Sequence, residues 1–156
     1  MRVDEIMRGE ARTVSPGANL AAAGRLMAEV GCGVLPVVGA AARVVGIVTD
    51  RDLCLALTRL DRRPSELTVA QVMSREVHAC ALGDDLRRAL ATMATFRVRR
   101  LPVLGADGTL QGILSLDDVA LHAHAQIEGE LGDVLYADVA RTLAAICEHP
   151  TPVLAR

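Results

Sequence analysis

The chain has 156 residues, a formal net charge of −2 and 51% hydrophobic residues, and its aromatic side chains are Phe96 and Tyr136. A near-neutral charge gives no excess for a phosphate backbone, and two aromatic residues cannot form a base-stacking platform. These properties argue against a protein that binds nucleic acid. The sequence shows no signal-peptide core and no transmembrane stretch, which predicts a cytoplasmic protein that does not bind membranes.

The first half of the chain predicts two helices and three strands. A strand-like run at 11–15 precedes a helix that Asn19 caps and Gly31 ends. Continuous apolar runs at 33–38 and 44–48 predict two buried strands, and a second helix follows them. The residues expected to face the core are Leu20, Ala23, Gly24, Met27 and Val30 from the first helix, and Leu53, Ala56, Leu57 and Leu60 from the second.

The second half of the chain predicts the same order of elements after a polar linker at 61–66. A strand-like run reaches Cys80, and a helix capped at Asp84 or Asp85 follows it. Each half therefore reads as β-α-β-β-α. The residues expected to face the core from the helix after the cap are Leu86, Ala89, Leu90 and Met93.

A further helix is predicted after these two halves, at 133–148. Asp133 is placed to cap this helix and Pro150 to stop it. Its polar face is acidic and not rich in Lys and Arg, so we expect it to cover a core edge or to pair with another subunit. Its apolar face consists of Leu135, Val139, Leu143 and Ile146 at helical spacing.

The two halves are copies of one repeat. Residues 3–57 recur as residues 69–123 without a gap, and 17 of the 55 aligned positions are identical. Because one copy is too small to bury a large core, the two copies are expected to share one. The predicted organisation is a first repeat at 1–63, a second repeat at 64–127 and a C-terminal helical extension at 128–156.

Each repeat has a strand that ends in a hydroxyl residue, with an aspartate three positions later. These pairs are Thr49 with Asp52 and Ser115 with Asp118. A Ser or Thr N-cap with an acid at N3 forms a capping box, which needs no ligand. Alternatively, the helix N-terminus receives a phosphate on its unpaired N–H groups while the acid binds sugar hydroxyls. One copy alone favours the capping interpretation, and its recurrence in register strengthens the second.

Other reactive groups show no functional spacing. The four cysteines have no paired spacing, which is typical of reduced thiols. The sequence contains no nucleophile–base pair and no Walker-type phosphate loop, so an enzyme is not expected. Residues two apart on a helix do not face each other, so no metal site is expected at the pairs His122 with His124 and Cys147 with His149.

Two Gly-h-h-[Thr/Ser]-x-x-Asp motifs, where h is apolar, each follow a Leu-Pro-Val strand and a leading segment that contains methionine. Together they resemble a tandem pair of CBS domains, also called a Bateman module, over residues 3 to about 126. The resemblance implies an α/β fold of the α+β type, with two repeats related by a pseudo-two-fold axis. It also implies two clefts for adenosyl ligands such as AMP, ADP or ATP, bound as regulatory ligands with no further cofactor.

The resemblance assigns roles to individual residues. The aspartates Asp52 and Asp118 are expected to hold ribose hydroxyls, and Thr49 and Ser115 to meet phosphate. The implied adenine pockets are lined by Thr13, Val14, Val34, Leu35 and Pro36 in the first repeat and by Ala79, Cys80, Leu101 and Pro102 in the second.

The two implied clefts differ in charge. Arg99 and Arg100 stand where related modules often place a basic phosphate contact, whereas the first repeat has Gly33 and Val34 there. Arg51 is the alternative cation for the first cleft. We therefore expect the second cleft to bind better, the alternative being that the arginines form only a solvated face.

Three classes of function stay open from the sequence. The leading class is a regulatory module that senses an adenosyl nucleotide and relays it to an enzyme or transporter. The second is a module for dimerisation or protein interaction without a ligand, and the third, an enzyme, is disfavoured. A homodimer is expected, because a monomer this small would struggle to cover its aliphatic helices and the appended helix.

Overall fold

The computed structural model describes residues 1–125 and 130–148. It confirms a mixed α/β fold, with six α-helices and two small sheets in the described part of the chain. The first repeat contains α1 (Leu20–Val30), β1 (Val34–Val38), β2 (Val44–Thr49) and α2 (Asp50–Leu60). They are followed by α3 (Val69–Val72), β3 (Cys80–Ala81), α4 (Leu86–Phe96), β4 (Arg100–Leu104), β5 (Leu110–Ser115), α5 (Leu116–Ala125) and α6 (Glu130–Cys147), and 3-10 turns lie at Val3–Glu5, Ala40–Ala42 and Pro64–Glu66.

The predicted caps of α1 and α4 lie where they were expected. The side chain of Asn19 accepts a hydrogen bond from the Ala22 N–H at 2.8 Å, and Gly31 ends α1 in the left-handed region at φ 62°. Asp85, one of the two predicted caps of α4, accepts the Arg87 N–H at 2.9 Å. These short-range bonds satisfy backbone groups that a helix leaves unpaired at its ends.

The strands form one two-stranded sheet, β1-β2, and one three-stranded sheet in the order β3-β4-β5. Strands β1 and β2 are antiparallel, and Val34 lies opposite Thr49 in their register. The strand expected at 11–15 is reduced to a single bridge between Val14 and Val37. Pro36, the residue of β1 that accepts the Val14 N–H, has no N–H to donate in return, which limits this ladder.

The chain divides into two compact units. One comprises Met1–Arg8, Cys80–Val103 and the described residues from Ile113 onward; the other comprises Gly9–Ala79 and Leu104–Gly112. Each unit has its own cluster of buried apolar residues, whereas the sequence predicted one shared core. The leading segments complete these clusters, because Val3 is buried with α4 residues and Val69 with α1 residues. The repeat boundaries at 63 and 127 stay a prediction.

Most residues predicted to face a core are buried or half-buried, and three are exposed. Val30 and Leu60 are 37% and 48% exposed. Each is the last residue of its helix, directly before a left-handed residue that turns the chain away. Leu143 in α6 is 42% exposed, whereas Thr142 is buried. The stripe therefore follows the 4-3-4 spacing 135-139-142-146, and Thr142 takes the central place predicted for Leu143.

Helix α6 packs against α4 and α5 and thereby covers a core edge. It begins at Glu130, so the prediction that Asp133 caps it is wrong. A glycine inside a helix costs only about 1 kcal/mol, which allows Gly132 to be included. The predicted stop at Pro150 and the pair partner His149 lie outside the described residues. No helix in the described part of the chain is long and apolar enough to cross a membrane.

Candidate functional site

The first predicted site lies where β2 ends and α2 begins. The Oγ1 hydroxyl of Thr49 donates to Asp52 Oδ2 at 2.7 Å, and the Thr49 N–H donates to the same oxygen at 2.9 Å. In return, the Asp52 N–H donates to Thr49 Oγ1 at 3.2 Å. This is a complete capping box, and it uses one of the two carboxylate oxygens of Asp52. The other, Oδ1, has no hydrogen bond to the described residues.

The second predicted site has the same local structure where β5 meets α5. Ser115 donates to Asp118 Oδ2 through both its hydroxyl and its N–H, the latter at 3.2 Å. The Asp118 N–H donates to Ser115 Oγ at 3.0 Å. Ser115 and Asp118 are only 6% and 8% exposed, so this capping box is buried more deeply than the first.

A backbone bridge beside each site is also repeated. Ile47 exchanges two hydrogen bonds of 2.9 Å with Ser74, and Ile113 exchanges two of 2.9 Å with Arg8. Ile113 is 66 residues after Ile47, and Ser74 is 66 residues after Arg8, so the two bridges correspond. The backbone around both sites is thus alike, while the side chain on the bridging segment is a serine at one and an arginine at the other.

Arg8 makes the largest difference between the two sites. Its Nε donates to Asp118 Oδ1 at 2.7 Å, and the Arg8 side chain remains 67% exposed while that of Asp118 is 8% exposed. Both oxygens of Asp118 are therefore bonded. The Ser74 hydroxyl donates instead to the Glu76 carbonyl at 3.2 Å. Sequence reasoning missed Arg8, although the mismatch of Arg8 with Ser74 at the repeat offset is a signal that could have identified it.

The predicted phosphate contacts Arg99 and Arg100 lie on the same segment but differ in their bonding. The Arg99 carbonyl accepts the Leu116 N–H at 2.9 Å, and its side chain is exposed. Arg100 forms an ion pair of 3.3 Å with Asp117, an exposed residue. At the corresponding place in the first repeat, the Gly33 carbonyl accepts the Asp50 N–H at 3.0 Å. Both arginines thus border the second site, and their role toward phosphate stays a prediction.

The residues predicted to line the adenine pockets lie close to the capping boxes or within the cores. Val34 is directly opposite Thr49 across the sheet, and Thr13 is exposed beside the Val14 bridge. Leu35 and Leu101 are fully buried core residues. Pro36 and Pro102 are buried in strands. Cys80 is the first residue of β3, and Ala79 directly precedes it. Their contact with a base stays a prediction.

Burial changes the chemistry of Cys80. Desolvation, with a smaller contribution from the Asp84 carboxylate, raises the pKa of this thiol from 9.0 to about 12. Its sulfur lies 3.9 Å from the Pro102 carbonyl oxygen. A protonated, buried thiol is a poor nucleophile and packs as a small apolar group. Among the described residues, no group of three or more His, Cys, Asp and Glu side chains is placed to hold a metal ion.

Comparison with known proteins agrees with this repeated geometry. The family model of the CBS domain matches residues 3–59 and 69–124, which include both capping boxes. The chain belongs to the CBS domain family. It therefore contains a tandem CBS pair, as the two motifs predicted.

Similar proteins share the pair over most of their length. The CBS domain-containing protein YhcV of Bacillus subtilis is 33% identical over 120 residues, covering 77% of this chain and 84% of that protein. Hypoxic response protein 1 of Mycobacterium tuberculosis is 28% identical over 118 residues, covering 76% and 82%. The structure of the CBS pair of protein MJ0100, with 5′-methylthioadenosine and S-adenosylmethionine, has a TM-score of 0.73 at 19% identity, covering 81% and 98%. The last likeness is one of fold.

Proposed function

We propose that this CBS pair is a non-catalytic regulatory module that binds an adenosyl nucleotide and relays its presence to a partner protein. The observation that carries the proposal is the duplication of one local structure. Each copy places a hydroxyl, an aspartate and a helix N-terminus together at the end of a strand. A single capping box explains one helix start. The matched backbone bridge in both repeats extends beyond what capping alone requires.

The geometry at Asp52 suits a sugar diol. Its Oδ1 has no bond to the described residues and can accept a ribose hydroxyl without breaking the capping box, which uses Oδ2. A hydrogen bond to a carboxylate is worth about 1.5 to 3 kcal/mol, enough to orient a nucleoside. The N-terminus of α2, beginning at Asp50, adds the positive end of a helix dipole, which favours an anion.

The complex of the MJ0100 pair supports the choice of ligand class. That protein holds two adenosyl compounds in a structure of the same fold. Aliphatic residues such as Val34 and Pro36 near Thr49 are compatible with an adenine ring, which needs an apolar contact and does not require an aromatic platform.

One observation favours the second class of function, a protein-interaction module. Helices α2 and α3 border a groove of about 260 Å³, and Leu55 and Leu60 beside it are 36% and 48% exposed. Exposed leucines along a groove are typical of a protein contact. We include a homodimer in the proposal on this ground, and sedimentation at tens of micromolar, where a monomer would contradict it, is the direct test.

A thermal-denaturation panel tests the proposed function. A ligand that binds only the native chain raises the free energy of unfolding by about 2.7 kcal/mol at a hundredfold excess over its dissociation constant. We expect this increase with AMP, ADP, ATP or S-adenosylmethionine, and none with GTP at the same concentration. Absence of a shift with every adenosyl compound at millimolar concentration would favour the interaction-only function.

A further inference from the structure

We propose that Arg8 makes the Ser115–Asp118 site selective for ligands that carry an anionic group such as a phosphate. This inference rests on the proposed function, because it concerns what the second site accepts. It starts from the ion pair between Arg8 Nε and Asp118 Oδ1, which are 2.7 Å apart although the residues are 110 positions apart in the chain. The ion pair occupies one acceptor position of the carboxylate oxygen that the capping box leaves open.

A ribose hydroxyl that binds Asp118 competes with Arg8 for Oδ1. Oδ2 already accepts two hydrogen bonds from Ser115, and Oδ1 accepts the Arg8 bond. Because Asp118 is only 8% exposed, water cannot readily take the place of a lost partner. Charge-assisted bonds to a buried carboxylate are among the stronger ones in proteins, so a ligand that displaces Arg8 from Oδ1 bears the cost of breaking one.

An anionic ligand regains that cost and a neutral one does not. The Arg8 side chain is 67% exposed, and its two Nη groups have no hydrogen bond to the described residues. A displaced guanidinium fork matches the geometry of a phosphate and is always charged. A nucleotide phosphate thus gives Arg8 a new partner when ribose takes the old one. A nucleoside without phosphate leaves the cation unpaired.

The first site provides an internal comparison. Ser74 occupies the position of Arg8 there, on a backbone bridge with the same hydrogen bonds, and its hydroxyl is bonded to Glu76. Asp52 Oδ1 is therefore open without any exchange of partners. The two sites are expected to accept ribose similarly and to differ in how strongly they discriminate by charge.

Calorimetric titration with adenosine and AMP tests the inference. In an Asp52→Ala background, which weakens the first site, AMP should bind at least about tenfold tighter than adenosine. Arg8→Gln keeps a donor for Asp118 but removes the charge, and it should reduce this ratio several-fold. Arg8→Lys should retain much of it. Arg2→Gln is the matched control, since Arg2 lies in the same segment and pairs with the exposed Asp4.

The reciprocal variant is a control for a folding defect in the Arg8 variants. Ser74→Arg in an Asp118→Ala background should raise the preference of the first site for AMP over adenosine. An AMP-to-adenosine ratio that is the same with and without Arg8, in chains that bind both, overturns this inference and leaves the proposed function intact. Failure of both probes to bind any folded variant or the unaltered chain overturns the two together.

Discussion

At the scale of single residues, Cys80 has the most altered acidity in the described chain. Burial, and secondarily the Asp84 carboxylate, raises the pKa of its thiol from 9.0 to about 12. Below pH 9 the thiol is protonated in both the folded and the unfolded chain, so the stability does not depend on it. Between pH 9 and about 12 the unfolded chain releases this proton and the folded chain keeps it. Stability must therefore fall as the pH rises through this range.

The alkaline dependence of unfolding checks this expectation. The 17 lysine and arginine residues of the chain are all arginines, so no lysine titrates in this range. We expect Cys80→Ala to reduce the loss of stability between pH 9 and 11, measured by urea unfolding. Cys54→Ala, at an exposed thiol, serves as control. An identical slope in the unaltered chain and in Cys80→Ala would contradict the assignment.

The residue scale also shows which part of the site could be predicted. Thr49, Asp52, Ser115 and Asp118 were identifiable because a capping box is a local pattern and the repeat displays it twice. The ion pair of Arg8 with Asp118 was not, because it joins residues 110 positions apart and depends on how the N-terminal segment folds back. Local spacing carries no information about such a contact.

At the scale of elements, the two repeats end corresponding helices differently. Gly31 ends α1 at φ 62°, and Arg97, 66 residues later, ends α4 at φ 54°. In both helices the residue after the left-handed one donates its N–H to a carbonyl of the last turn. Cys32 donates to the Met27 carbonyl and Val98 to the Met93 carbonyl, each at 3.0 Å. A left-handed conformation costs a residue with a Cβ about 1–2 kcal/mol, and glycine largely avoids this cost.

Exchanging these helix ends should change stability in opposite directions. We expect Arg97→Gly to raise the free energy of unfolding by about 0.5–1 kcal/mol, the relief of strain being partly offset by the greater freedom of the unfolded chain. Gly31→Ala should lower it by about 1 kcal/mol. Arg87→Gly, inside α4, is the control for glycine itself and should destabilise. Denaturant unfolding measures all three, and a destabilised Arg97→Gly would contradict this account.

The elements themselves were largely predictable where caps and periodicity agree. The bounds of α1, α2 and α4 follow from Asn19, Thr49 and Asp85. The start of α6 was missed because Asp133 is a local capping signal, and the packing of the helix on α4 and α5 outweighs that signal. The strand expected at 11–15 was overestimated because its partner strand contains a proline.

At the scale of the whole molecule, the internal repeat gives more information about the fold than either half of the sequence does alone. It identified the tandem CBS pair, which the family match confirms over residues 3–59 and 69–124. It did not predict that the compact units exchange their leading segments, with Met1–Arg8 grouped with β3 and α4. That exchange brings an arginine from the first repeat to the aspartate of the second. The two repeats thus share the same backbone structure around their capping boxes and differ in the side chain, Arg8 or Ser74, that lies beside it.

We propose that Asp52 and Asp118 bind a nucleotide in addition to capping helices. Calorimetric titration of AMP into Asp52→Ala, Asp118→Ala and Asp85→Ala measures this directly. Asp85 caps α4 and belongs to neither site, so its loss should cost about 1 kcal/mol of stability and leave affinity unchanged. We expect Asp52→Ala and Asp118→Ala each to weaken one binding event by about ten- to a hundredfold. Equal affinities in all three variants and the unaltered chain would contradict it and leave both aspartates as helix caps.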